Sequence, residues 1–424
     1  MKKILISLLL LIAILSLCAC GNSSTITGNF GRMNAAAESV FSEEHLSNEP
    51  YSAAYRDFSY RFFQTIASDE DGNFCLSPLS AYMAFSLCFY GSDGATAEEF
   101  AETFGLTKAQ AADYCSSLYA HYMQRDYSDE NTAVHLANSV WIDNAVASYV
   151  KQSYLDGATG YYDAAIYRCD FGDPQTVNAI NGWCSDNTDG LIDKIIDRLD
   201  KDQIMALINA LLVELVWREQ YLSGNVVTDD FRNADDTTSK AEYLARKITT
   251  CYLSEDAKAF KMPLADGFSF VGILPNEDIS VADYCASLTS SKVDALLSAP
   301  SYEYDVYTRI PKYTLDYEID LIEPMMRMGL RTAFNVGSAN FRSLAEIPGK
   351  NVYIGEAIQK THFELDEKGI KAAAITYIGM KATSSIPFER KKINIYLDRP
   401  FVYLLMDDKT GLPLFIGRIN RLGK

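Results

Sequence analysis

Few of the side chains that usually do chemistry fall into a chemical pattern in this chain of 424 residues. The four histidines, His45, His121, His135 and His362, do not cluster at metal-ligand spacing, and each reads as a surface or satisfied core residue. There is no G-x-S-x-G elbow, no H-E-x-x-H pair and no Walker sequence, so no local signal asks for a hydrolase, a zinc site or a bound nucleotide. No metal, cofactor or catalytic residue is expected. The stretch that does stand out is residues 366–384, Asp-Glu-Lys-Gly-Ile-Lys-Ala-Ala-Ala-Ile-Thr-Tyr-Ile-Gly-Met-Lys-Ala-Thr-Ser. With period two, Ile370, Ala372, Ala374, Thr376, Ile378, Met380 and Ala382 share an uncharged face, while Lys371 and Lys381 lie on the other. Yet Ala372, Ala373 and Ala374 have weak strand propensity. Small side chains let such a segment slide between existing strands at low steric cost, as a conditional strand would. An ordinary Ala-rich core strand or helix is the other reading of the same pattern.

The rest of the chain must position that stretch. A hydrophobic content of 48% is ample for a large core, and length alone would allow two or three domains. A net charge of −18 argues against nucleic acid and anionic membrane surfaces as electrostatic partners. Lys2-Lys3 and the apolar residues 4–17 match a signal-peptide core, too short to span a bilayer comfortably. Leu17-Cys18-Ala19-Cys20-Gly21 resembles a bacterial lipobox with Cys20 as the lipidated residue, although Cys18 is an unusual choice at its position. A plain secretory peptide is the alternative, and either places the mature chain outside the cytoplasm. The expected organisation is a signal peptide over 1–19, a flexible tether over 20–50 and a folded body over 51–424. The seven cysteines beyond Cys20 have wide, irregular spacings that form neither a disulfide framework nor a metal motif, and most read as small buried hydrophobes.

Within the body, Tyr55, Phe58, Phe62, Phe63 and Ile66 make a helical apolar face. A short strand then leads into Ser77 as a helix N-cap with Pro78 in the first turn, and Gly91 can end that helix. Thr96-Ala97-Glu98-Glu99 has the form of a capping box. Residues 137–142 read as a strand, Asp173-Pro174 opens a helix, and residues 205–212 read as a strand buried on both faces. Residues 268–275 read as another strand, Ile310-Pro311-Lys312-Tyr313 begins one more, and residues 393–397, 401–406 and 414–419 form a closing set around a turn at 407–411.

Glu367-Lys368-Gly369 followed by Ala372-Ala373-Ala374 resembles the hinge of the reactive-centre loop of serpins. The resemblance extends over residues 51–424. It runs through Asn73, Ser77-Pro78, Ser80, Gly91, Gly94 and Thr96, then residues 180–183 and 188–192, and on to Asp398-Arg399-Pro400-Phe401 and residues 414–419. Val213, Glu214 and Leu215 depart from the family's usual aromatic and Lys-Gly before Trp217. The resemblance implies a single α+β domain with the serpin fold: a large central mixed sheet, further sheets, surrounding helices and an exposed reactive-centre loop.

It also implies an inhibitor of serine proteases, expected as a monomer that forms a covalent acyl complex with its target. The protease's serine would attack a loop carbonyl, and the cut loop would enter the main sheet before the ester hydrolyses. Counting from the hinge by family length puts the scissile bond at Thr383–Ser384, which suits elastase-like or subtilisin-like pockets; a bond at Lys381 would suit a trypsin-like one. Lys312 and Glu367 are expected to pair where the sheet opens, beside Trp217. Ile370 stands where inhibitors usually carry threonine, which is expected to slow the first insertion step. Gln359 stands where many members carry histidine. A non-inhibitory serpin, cleaved as a substrate or serving as a binding protein, is the runner-up.

Overall fold

The computed structural model describes residues 30–33, 41–128, 131–199, 203–370 and 390–423. Three sheets organise them. The main sheet has seven strands in the order Gly31–Arg32, Ala164–Cys169, Ala133–Asp143, Met205–Val216, Gly369–Ile370, Ile358–Leu365 and Tyr313–Asp320. It is mixed, because Ala133–Asp143 runs parallel to Ala164–Cys169 while the other paired neighbours are antiparallel. A second sheet of seven strands holds Phe268–Pro275, Phe401–Asp407 and Leu412–Ile419 at its centre. All three central strands are buried along their whole length, so they read as continuous apolar runs. A third sheet has four strands in the order Lys391–Tyr396, Tyr304–Pro311, Thr238–Ile248 and Val226–Arg232.

Helices Glu49–Ala67 and Pro78–Gly91 fill the space beside the second sheet. Tyr55, Phe58, Phe62, Phe63 and Ile66 all point into the core, as their spacing requires. Pro78–Gly91 is apolar nearly all round and is buried nearly all round. Ser77 caps it, accepting from the amide of Ser80 at 3.2 Å. Aromatic contacts tie the main sheet to the second one: the rings of Phe363 and Tyr403 lie 4.9 Å apart. On the other face of the main sheet, helix Pro174–Asp186 covers a separate core of Trp141, Ile180, Trp183, Ile195 and Ile196.

Several expectations change. The folded body starts before residue 51. Gly31–Arg32 adds to the edge of the main sheet, Phe30 packs edge-on against Trp141, Leu46 is buried, and the first long helix begins at Glu49. The apolar residues scattered through that polar stretch find sites that only the body supplies. Thr96 caps nothing: it lies inside helix Gly94–Phe104, where its hydroxyl meets that of Thr332 and accepts from the amide of Asn340. Its supposed box partner Glu99 instead accepts from Arg331 and Thr332 across the fold. Met205–Val216 alternates between buried and half-buried side chains and so is not buried on both faces. Ile310-Pro311 ends a strand of the third sheet, and Tyr313 begins one of the main sheet, with Lys312 at the junction. Of the closing set, only Phe401–Asp407 and Leu412–Ile419 form a hairpin; Lys391–Tyr396 joins the third sheet in parallel with Tyr304–Pro311.

Candidate functional site

The candidate site is the upper part of the main sheet, where the stretch beginning at residue 366 leaves strand Ile358–Leu365. Asp366 turns the chain. Its carboxylate accepts from the amides of Lys368 at 2.7 Å and Gly369 at 3.2 Å, and its own amide donates to the Gly369 carbonyl. The chain thereby folds back as strand Gly369–Ile370, wedged between two longer strands: Gly369 faces Val216, and Ile370 faces Leu215 on one side and Leu365 on the other. Glycine is required here. A Cβ at Gly369 would sit 2.1 Å from the Leu215 carbonyl oxygen and 2.7 Å from the Val216 Cα. Ile370 is buried, at 3% exposure, so the residue expected to hinder entry into the sheet is already seated in it.

Trp217 holds this turn in place. Its indole N–H donates to the Asp366 carbonyl at 2.8 Å and its amide to the Lys368 carbonyl at 3.0 Å. The ring is buried edge-on against Tyr221 and Phe270. Lys312 lies beside the turn, with Nζ 2.9 Å from the Glu367 carboxylate and 3.0 Å from that of Glu242. A hydrogen bond from its own backbone and the Lys312 ammonium hold the Glu367 carboxyl below the usual carboxylate range. Burial works against the charge on Lys312, but hydrogen bonds to Glu367 and Glu242 outweigh it and raise its pKa.

Among the described residues the main sheet is split below Ile370: residues 205–214 pair with Ala133–Asp143 on one side only, and residues 358–364 pair only with Tyr313–Asp320. Among the described residues nothing pairs with the two inner edges, and a narrow cleft separates them, lined by Asn209, Leu211, Val213, Lys360, His362 and Ile370. Unpaired strand edges that face each other are a template for one further strand. The segment after helix Pro174–Asp186 crosses this cleft with Thr188, Leu191, Ile192 and Ile195. Asn181 pins that segment, accepting from the amides of Ile195 and Ile196 and donating to the Ile196 carbonyl. On the core side, Gln359 and Thr361 bond to the backbone of Ser77 and Cys75.

The structure thus brings Glu367, Gly369, Ile370, Lys312 and Trp217 into one site. Ala372, Ala373, Ala374, the bond at Thr383–Ser384 and Cys20 lie outside the described residues. Sequence reasoning missed Asp366, Glu242 and Asn181. The Asp366–Gly369 spacing of an Asx turn was a readable signal for the first; the other two make contacts that no local pattern announces. All seven described cysteines are buried and unpaired. Among the described residues no cluster of His, Cys, Asp or Glu could hold a metal ion.

A sequence model of the family described as "Serpin (serine protease inhibitor)" matches residues 53–422. Among curated relatives, neuroserpin from Homo sapiens is 26% identical over 381 residues, covering 86% of this chain and 90% of that protein. Serpin-Z10 from Arabidopsis thaliana is 26% identical, covering 82% and 91%. Among solved structures, the thermophilic serpin tengpin in its native state superposes with a TM-score of 0.79 at 30% identity, covering 92% of this chain and 98% of that one. A split main sheet, a hairpin that starts to fill it and a matched sequence over nearly the whole folded body lead to one conclusion: the chain belongs to the serpin family.

Proposed function

We propose that this serpin traps serine proteases irreversibly, by cleavage of the loop after Ile370 and insertion of that loop into the main sheet. The observation that carries the proposal is the cleft between Met205–Val216 and Ile358–Leu365, already bridged at its upper end by Gly369–Ile370. Extending the same register would lay residues 371–380 against 214–205 and residues 371–377 against 364–358. Every backbone group gained this way joins a ladder, and the alternate residues from Ile370 onward are small or apolar enough to face the core. No proline interrupts residues 369–383. Those 15 residues at roughly 3.3 Å each would carry an attached protease about 50 Å along the sheet.

The proposed scissile bond is Thr383–Ser384, and the proposed targets are elastase-like or subtilisin-like enzymes. Their serine forms the acyl bond with the Thr383 carbonyl and releases the amine of Ser384. We further propose that the chain works as a monomer outside the cell, held at the membrane by a lipidated Cys20 beyond the signal segment; loss of detergent partitioning in Cys20→Ser tests the anchor. Incubation with elastase, subtilisin and trypsin tests the inhibition. The expected result is an SDS-stable complex, together with a sharp rise in melting temperature once the loop is cut. Clean cleavage without complex or stabilisation would instead identify a non-inhibitory member.

A further inference from the structure

Arg390, Lys391 and Lys392 form the chain's one run of three cations, in a protein with 38 basic and 56 acidic side chains. They open strand Lys391–Tyr396, which is the outer edge of the third sheet. Lys391 and Lys392 are exposed, Arg390 is half-buried, and none of the three makes an ion pair among the described residues. By contrast, Lys312 is held by two carboxylates and Arg246 by Glu219. The register puts Lys392 beside Asp305 on the outer face of the sheet, but Asp305 is taken by Lys247 at 2.7 Å. Lys247 is itself half exposed, lies over the ring of Tyr307 and is close enough to Arg390 to feel its charge. Among the described residues the local acids are Asp305 and Glu303, whose carbonyl accepts from the amide of Lys391, and Glu389 precedes the run in the sequence, which leaves four cations against three carboxylates. The strip therefore keeps a net positive charge on an acidic molecule.

Its position gives that charge a use. Arg390 follows Ser384 by six residues, so it lies within about 20 Å of the proposed scissile bond at full extension. A protease seated on that bond buries roughly 800 Å² per partner, a patch roughly 30 Å across. A tether of that length lets the strip reach the rim of that footprint. Rim charges act chiefly on association rate and on the choice of partner.

We propose that Arg390, Lys391 and Lys392, backed by Lys247, are a docking strip for an acidic surface beside the active cleft of the target protease. The partner class is thus narrowed to proteases with carboxylates flanking the primed side of the cleft, a step that rests on the inhibitory function proposed above. Lysines on an edge strand also discourage edge-to-edge aggregation, and that role alone would leave protease rates untouched.

The test uses the full chain and its Arg390→Ser/Lys391→Ser/Lys392→Ser variant against subtilisin and against subtilisin whose surface lysines have been succinylated. Succinylation turns ammonium groups into carboxylates and leaves the catalytic cleft unchanged. The readout is the second-order rate of SDS-stable complex formation between about 20 and 300 mM salt. The unmodified chain should react with the succinylated enzyme about tenfold faster than with the native one at low salt. High salt and the triple variant should each abolish that gain. Complexes that form at rates indifferent to succinylation, or a gain that survives in the variant, would overturn the docking strip and leave inhibition standing. No complex with either enzyme would remove inhibition and the strip together.

Discussion

The side-chain amide of Gln359 satisfies the backbone of Ser77 twice: its Nε2 donates to the Ser77 carbonyl at 2.9 Å, and its Oε1 accepts from the Ser77 amide at 3.1 Å. Gln359 is buried in the strand that lines the cleft, and Ser77 caps the helix beneath it. This reciprocal pair locks one bank of the cleft to the core, and the bank must slide over that core if the sheet is to widen. Gln359→Leu keeps the volume but leaves the Ser77 amide without a partner. It should lower stability by about 2 kcal/mol, read as an earlier urea transition of unchanged slope.

Gly369→Ala should expel the first inserted residues, because the new Cβ would meet the Leu215 carbonyl oxygen at 2.1 Å. The backbone cannot give way without breaking the pairs to Val216 and Leu215. With the hinge displaced, insertion should start later and more of the acyl-enzyme should hydrolyse first. The expected outcome is less SDS-stable complex and more cleaved free serpin per protease consumed. An unchanged ratio on a gel would show that the glycine is dispensable.

Lys312→Ala removes the ammonium shared by Glu242 and Glu367. The groups are partly exposed, so the stability change should stay within about 1 kcal/mol, while polymerisation on heating should speed up as the turn at 366–369 loosens. The pH dependence follows from the shifts. Glu367 is depressed, so its contribution is present above the ordinary carboxylate pKa and is lost as pH falls through its lower folded value. Lys312 is raised, so its contribution is present below the ordinary lysine pKa and is lost as pH rises through its higher folded value. The difference between the parent and Lys312→Ala should thus be flat between the ordinary carboxylate and lysine ranges and shrink as pH falls below the first or rises above the second. Polymerisation rates measured across pH check this.

Asp407→Asn tests a buried, hydrogen-bonded carboxylate away from the cleft. His121 sits between Asp407, 2.5 Å from Nε2, and Glu43, 2.9 Å from Nδ1. Burial alone would raise the Asp407 pKa, but the hydrogen bond and charge of His121, the amide of Lys409 and the charge of Arg125 outweigh it and depress the carboxyl. A depressed folded pKa gives stability that is lost as pH falls through it. The asparagine variant should lose about 3 kcal/mol at neutral pH, and its stability should fall less steeply on the acid side. Urea midpoints at several pH values measure both effects.

How much of this was legible depended on range. The cap at Ser77, the proline after Asp173 and the apolar face of the first long helix are local patterns, and they fold as written. Thr96-Ala97-Glu98-Glu99 shows the limit: a capping box and a helix interior whose side chains reach other elements look alike in one dimension. The resemblance named both Glu367 and Lys312, 55 residues apart, but not Glu242, which reaches the same ammonium from the third sheet. Likewise Gln359 could be picked out as a departure from family habit, whereas its partner, 282 positions away in the chain, could not.

Taken alone, the order of residues marked several local elements, among them the helices opened by Ser77 and Asp173, and it determined that residues 370–382 carry small or apolar side chains on alternate positions, because backbone preference and side-chain alternation are properties of neighbours along the chain. Tertiary structure decided that Met205–Val216 and Ile358–Leu365 stand side by side with a cleft between them, that Gly369–Ile370 enters its upper end, and that residues 30–33 join the far edge of the same sheet. Pairing between distant strands depends on which edges the packed core leaves open, and that is settled only when the whole chain has closed around it.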